Sequence, residues 1–126
     1  MQDAFDRYLA DHKPLYIPSP WPTVAGAIEE IHAAGGLAVL AHPGLYGMDE
    51  RIEAWIQAGL DGIEVAHPDH DEEARARYAR SAREHGLLVT GGSDFHGPRV
   101  KAGQVVGEFW LDRGWWDALS QRLRLA

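Results

Sequence analysis

Residues 87–97 are Leu87-Leu88-Val89-Thr90-Gly91-Gly92-Ser93-Asp94-Phe95-His96-Gly97. The first four are apolar or β-branched and predict a buried strand. Two potential metal ligands, Asp94 and His96, follow where that strand ends. Side chains at positions i and i+2 of an extended chain lie on the same side, so these two can reach one site together. The stretch therefore predicts a strand that leads directly into a functional site.

The same arrangement occurs twice upstream. The apolar residues 37–41 lead into His42-Pro43-Gly44, and residues 62–66 lead into His67-Pro68-Asp69-His70. The three runs begin at residues 37, 62 and 87, which is a regular spacing. Polar residues that can bind metal therefore follow three successive strands, and the spacing predicts a repeated structural unit.

Helical patterns precede the first strand, over residues 22–34, and separate the three strands, over residues 49–58 and 71–85. Asp49 is an expected N-cap, Asp71 opens the third helix with an acidic first turn, and Gly59 and Gly86 follow the last helical residues. Strands that alternate with helices through short connections predict an α/β fold, in which parallel βα units are joined by right-handed crossovers. In such sheets the functional groups gather at the carboxyl ends of the strands.

The remaining sequence is assigned to flanking elements of one domain, residues 1–126. Residues 1–22 are expected to form a short helix, over 3–10, and a proline-rich connector; residues 23–126 form the βα units. A fourth strand is predicted over residues 104–111 and a closing helix over 115–125. A closed eight-stranded barrel usually takes about 250 residues, and this chain has 126. Either the sheet is open, or the chain is the C-terminal half of a barrel.

Composition excludes several kinds of site. The chain has no cysteine, so any metal must be held by His, Asp or Glu. A formal net charge of −7 argues against a broad nucleic-acid-binding surface. Arg99 and Lys101 are a local exception: they could face a substrate phosphate, or they could be solvated loop residues. With no secretory signal and no apolar run long enough to span a membrane, we expect a cytoplasmic protein.

The chain resembles the polymerase and histidinol phosphatase (PHP) family of metal-dependent phosphoesterases. The resemblance lies in three segments in the family's order: residues 36–44, residues 62–67 and residues 92–97. Residues 4–9 and 21–23 are similar to the subgroup that includes bacterial nucleotide phosphatases and a related RNA-trimming exonuclease. The resemblance implies a distorted, TIM-like barrel of parallel strands, of which this chain would be the C-terminal half.

The resemblance also implies roles for particular residues. His42, Asp94 and His96 would be catalytic metal ligands, and His67 would contact the substrate. Arg99 is expected to contact the substrate as well, because it closely follows Asp94 and His96 in the sequence. The metals would be Mn, Fe or Zn, which suit histidine and carboxylate ligands. The substrate would be a phosphorylated small molecule such as a nucleotide, or a short oligonucleotide.

The family's first strand carries a His-x-His pair, and none occurs in these 126 residues. We therefore expect a partial PHP domain whose first half is absent or supplied by another polypeptide. The isolated chain is expected to be inactive and to self-associate. An alternative is a non-catalytic half-barrel that binds metal or phosphate weakly or packs with another chain.

Each candidate residue also has a structural alternative. Asp94 and His96 could cap a turn, and His42 could be a satisfied histidine at a strand end. His67 and His70 could be surface residues at the start of the following helix. Alternation along the strand predicts that Glu64 faces away from His67, toward the helices. Four tryptophans fit core or helix-packing positions better than a base-stacking surface: Trp55, Trp110, Trp115 and Trp116. Trp21 is the exception, because it could cover the site.

Overall fold

The computed structural model describes residues 2–10, 12–17, 21–97 and 104–123. Three strands form a parallel sheet in chain order: β1 (Val39–Leu40), β2 (Gly62–Ala66) and β3 (Leu88–Gly91). This confirms the α/β class and the parallel βα units. β2 has the bounds that its sequence predicts. β1 is shorter than residues 37–41, because the Asp61 carboxylate, rather than a strand partner, accepts the N–H of Ala38 at 2.8 Å.

Helices precede, connect and follow the strands. Their bounds are α1 (Gln2–Ala4), which continues into a π-helical turn (Phe5–Leu9), α2 (Val24–Ala33), α3 (Ile52–Gln57), α4 (Glu72–His85) and α5 (Arg113–Leu123). Asp71, predicted as the first residue of α4, is its N-cap and accepts the N–H of Ala74 at 2.8 Å. Gly86 ends α4 at a φ of 67°, a left-handed conformation that glycine adopts at little cost.

Asp49 is not the N-cap of α3. It begins a short 3-10 turn, Asp49–Arg51, that precedes the helix. Its carboxylate instead accepts the hydroxyl of Tyr78 at 2.8 Å and pairs with Arg77 at 2.9 Å. This side chain therefore joins the start of α3 to α4.

The prediction of a fourth strand over residues 104–111 is wrong, because the described chain forms turns there. Gly107 has a φ of 83°, and the N–H of Glu108 donates to the carbonyl of Val105 at 3.3 Å. The following helix starts earlier than residue 115, because Asp112 caps it by accepting the N–H of Trp115 at 3.0 Å. The predicted end of that helix, at residues 124–125, lies outside the described residues, as do residues 18–20 of the connector.

The core consists of two clusters that share flanking side chains. The larger lies between the sheet and helices α3 and α4, with Ile52, Ile63, Val65, Ala74, Tyr78, Ala82 and Val89. The smaller joins α2 to β1, with Ile28, Ala38 and Leu60. Trp55 and Trp115 pack against the larger cluster as expected. Trp110 and Trp116 are exposed, so their assignment to packing positions is wrong. No helix in the described ranges has the length and apolarity needed to cross a bilayer.

Candidate functional site

The site lies at the carboxyl edge of the sheet, where the chain leaves each strand. His42 follows β1, His67 follows β2, and Asp94 follows β3. The rings of His42 and His67 have centroids 5.6 Å apart, and Nε2 of His67 lies 3.5 Å from Oδ2 of Asp94. His67 therefore lies between the two side chains that the sequence predicts as ligands.

His42 and Asp94 both have left-handed backbone conformations, with φ values of 34° and 48°. Non-glycine residues rarely adopt this region, and it is further disfavoured for His42 because Pro43 follows. The N–H of His42 donates to Oε2 of Glu64 at 2.7 Å, which holds this conformation in place. Strained backbone at two candidate ligands is typical of a functional site.

The expectation that Glu64 faces away from the site is wrong. Its carboxylate reaches the His42 backbone at the same edge as His67. The reason is an irregularity in β2: the pairing with β3 shifts register between Glu64 and Ala66. A bulge adds a residue and breaks the alternation of side chains, so the parity rule fails across it.

His67 is fully buried, with 0% of its surface exposed, so the surface alternative is wrong. The N–H of Asp69 donates to its Nδ1 at 3.1 Å, which makes Nδ1 an acceptor. Burial lowers the pKa of His67 below its usual 6.5, and the neighbouring His70 acts in the same direction, against the carboxylates of Glu64, Asp94 and Asp69. The neutral ring therefore carries its proton on Nε2, the nitrogen nearest Asp94.

His96 has the opposite tautomer. Its Nδ1 donates to the carbonyl of Asp94 at 2.6 Å, so the lone pair lies on Nε2. The side chain is about half exposed and its Nδ1 lies 3.6 Å from Oδ1 of Asp94. His42 differs again, because its Nδ1 is buried and has no hydrogen-bond partner among the described residues. His42 and His96 can each offer a nitrogen to a metal or a phosphate.

His70 is a buried structural histidine, with 1% of its surface exposed. Its Nδ1 donates to the carbonyl of Val65 at 3.0 Å, and its Nε2 accepts the N–H of Gly44 at 3.2 Å. It thereby joins the loop after β1 to β2, and both ring nitrogens are used. The surface alternative for His70 is wrong as well.

The described residues include no group of three or more His, Asp or Glu side chains arranged to hold a metal ion. The chemistry of His42, Asp94 and His96 suits a divalent metal, but they supply only part of a coordination shell. Arg99 and Lys101 lie outside the described residues.

Two site residues were missed from the sequence: Glu64, hidden by the bulge, and Arg75, whose Nη2 donates to the carbonyl of His67 at 3.4 Å. An arginine so close to the N-terminus of a helix opposes the helix dipole. That unfavourable position is the feature of the sequence that could have indicated a role for Arg75.

Comparison with known proteins identifies relatives, although no family model matches the sequence. A 3',5'-nucleoside bisphosphate phosphatase of Chromobacterium violaceum is 41% identical over 112 residues, which cover 85% of this chain and 39% of that protein. The 5'-3' exoribonuclease Rnm of Escherichia coli is 40% identical over 103 residues, which cover 78% of this chain and 35% of that protein.

Solved structures are also similar to this chain. A Bifidobacterium adolescentis protein described as a metal-dependent phosphoesterase superposes with a TM-score of 0.76 and 37% identity. A Chromobacterium violaceum protein described as an amidohydrolase, with bound sulfate and no metal, superposes with a TM-score of 0.70 and 35% identity. Each match covers 96% of this chain and 44% of the other. The chain is therefore similar to these phosphoesterases over most of its own length, and it spans less than half the length of the relatives that it matches.

Proposed function

We propose that this chain forms part of a metal-dependent phosphoesterase site that hydrolyses a phosphoester of a nucleotide or a short oligonucleotide. The observation that carries the proposal is the position of His67, a buried neutral donor between His42 and Asp94 at the carboxyl ends of three parallel strands. The names of the relatives, a nucleoside bisphosphate phosphatase and an exoribonuclease, support the substrate class.

His67 is proposed to bind the substrate rather than a metal. Metal coordination needs a lone pair on nitrogen, and Nδ1 of His67 already accepts the N–H of Asp69. Nε2 carries the proton and can donate to a phosphoryl oxygen. Because burial keeps the ring neutral, this donor is present without a competing ionisation near neutral pH.

His42, Asp94 and His96 are proposed metal ligands, and Mn, Fe or Zn are the candidate ions. When bound, such ions supply a hydroxide nucleophile and stabilise charge on the phosphoryl oxygens. Glu64 has a positioning role, because it holds the backbone of His42. Further ligands must come from outside the described residues, and a separate segment or polypeptide carrying the remainder of a PHP domain is the proposed source. We also propose that Arg99 contacts the substrate and that the protein resides in the cytoplasm.

The alternative is a non-catalytic module that binds metal or phosphate weakly or packs with another chain. One observation favours it: the described side chains do not assemble a three-ligand group. Under this alternative the strained backbone at His42 and Asp94 would have no catalytic consequence.

The test measures phosphate release from adenosine 3',5'-bisphosphate and from a short oligoribonucleotide, with added Mn²⁺. The isolated chain should show little turnover. Adding a polypeptide that supplies the uncovered part of a PHP domain should restore it, and His42→Ala or Asp94→Asn should abolish the restored activity. His85→Ala is the matched control, because His85 ends α4 and pairs with Glu53 away from the site.

Two outcomes would contradict the proposal in different ways. Strong metal-dependent turnover by the isolated chain would mean that its own residues complete the metal site. A correctly assembled pair of polypeptides without turnover on either substrate would favour the non-catalytic module.

A further inference from the structure

A cavity of about 230 Å³ opens beside His67. Its lining comes from the end of β2, from α4 and from the turns after β3: Ala66, Arg75, Glu108, Phe109 and Trp110. We call it the Trp110 pocket. Ala66 immediately precedes His67, and Arg75 binds the His67 carbonyl, so the pocket adjoins the proposed phosphate site.

Arg75 is held in a fixed orientation at the pocket. Its guanidinium carbon lies 4.9 Å from the centroid of the Phe109 ring, and its Nη2 donates to His67. Stacking on an aromatic face and a hydrogen bond together fix the plane of a guanidinium group. Its Nε is buried and has no hydrogen-bond partner among the described residues. A buried N–H donor without a partner is costly, and a bound ligand with an acceptor would satisfy it.

Trp110 presents an apolar surface at the same pocket. It is 70% exposed, whereas a large aromatic side chain normally buries most of its surface. An indole face beside an arginine suits a flat aromatic ligand, because such a ligand stacks on the indole and accepts hydrogen bonds at its edge. Glu108 adds a carboxylate that can accept an exocyclic amino group and that would repel a second phosphate.

We propose that the Trp110 pocket binds the base of a nucleotide whose phosphate lies at His67. The inference rests on the proposed function for the location of the phosphate, but its base-binding part stands on the pocket alone. The volume supports a single ring system, because pockets for whole drug-sized ligands are usually about 300–1,000 Å³. Trp110 stacks on the base, while Arg75 and Glu108 bind its edge.

The experiment titrates adenosine, which lacks a phosphate, into the full chain and measures binding by calorimetry. Loss of one stacked aromatic contact should weaken binding about tenfold in Trp110→Leu. Trp110→Phe should recover most of the affinity, because it keeps an aromatic face. Trp116→Leu is the matched control: Trp116 is 49% exposed and lies on α5. Circular dichroism of each variant checks that the fold is retained.

Inorganic phosphate and ribose 5-phosphate form the second arm. Adenosine binding that depends on Trp110, without affinity for either phosphate compound, would support the pocket while contradicting the phosphate site. Adenosine affinity that is unchanged in Trp110→Leu, or equally lowered in Trp116→Leu, would overturn the inference. The absence of adenosine binding to the unaltered chain would also overturn it. A Trp110→Leu variant that changes only the oligomeric state would overturn it too, because it would assign this side chain to packing with another chain.

Discussion

The histidines at the carboxyl edge differ in where their protons lie, because each has a different partner at Nδ1. Nδ1 of His67 accepts from a backbone N–H, whereas Nδ1 of His70 and of His96 donates to a carbonyl. His67 and His70 belong to one short motif, His67-Pro68-Asp69-His70. His67 presents a donor to the site, whereas both ring nitrogens of His70 form hydrogen bonds within the fold. Roles of this kind depend on backbone partners, which residue types alone do not specify.

We expect the stability of the protein to fall as the pH falls through 6.5. Burial holds the pKa of His67 below 6.5, so between that lowered pKa and 6.5 the unfolded chain binds a proton that the native ring does not. The unfolding free energy therefore decreases toward acid pH. His67→Gln should reduce this slope in urea denaturation series on both sides of 6.5. An identical slope in that variant would assign the pH dependence to other groups.

His70→Ala should destabilise the protein by about 2–4 kcal/mol. The substitution removes the ring that accepts the N–H of Gly44 and donates to the buried carbonyl of Val65, and it creates a cavity beside Tyr78. Urea denaturation measures the change. His85→Ala is the control: its partly exposed contact with Glu53 should contribute at most about 1 kcal/mol. Equal losses in both variants would mean that His70 does not join the two strands.

At the scale of elements, the sequence predicts strands and helices well where a single run sets the pattern. β2 and α4 have the predicted positions because an apolar run or a capped, charge-graded helix determines each locally. The pattern over residues 104–111 is also apolar, but Gly107 turns the chain there. Glu64 was misplaced because a bulge depends on pairing with β3, which no local pattern reports. The metal assignments of His42, Asp94 and His96 stay predictions.

The glycine pair at the end of β3, Gly91 and Gly92, gives a matched test of backbone crowding. A Cβ atom on Gly91 would lie 2.5 Å from the Cβ of Ala66 and 2.9 Å from its carbonyl oxygen, whereas a Cβ on Gly92 would meet nothing within 4 Å. Gly91→Ala should therefore separate β2 from β3 and cost about 1–3 kcal/mol. Gly92→Ala should change stability little. Thermal unfolding of both variants measures the difference, and a reversed order would contradict the close contact.

At the scale of the whole molecule, the described sheet has two open edges, because β1 and β3 each pair only with β2. Many large apolar side chains are also exposed, among them Phe5, Leu9, Leu15, Ile17, Trp21, Leu45, Tyr46 and Phe95. Unpaired edges and apolar surface of this kind favour association.

We therefore predict that the chain self-associates. Light scattering should give a mass above that of one chain, and a dye that reports exposed apolar surface should fluoresce less as the protein concentration rises. Addition of a polypeptide that corresponds to the part of its relatives not covered by this chain should compete with this association. A monomer that binds no dye at micromolar concentration would show that the exposed side chains do not form an associating surface.

The order of the sheet follows the order of the chain, and each strand pairs with the one made just before it. Every pairing step therefore closes a loop of similar length, and the entropic cost of closure is similar each time. During synthesis on the ribosome, β1 and β2 can dock before β3 emerges, so folding can advance from the N-terminal side. Asp94 and His96 follow β3, which means that the candidate ligands come together only after the scaffold beneath them has formed.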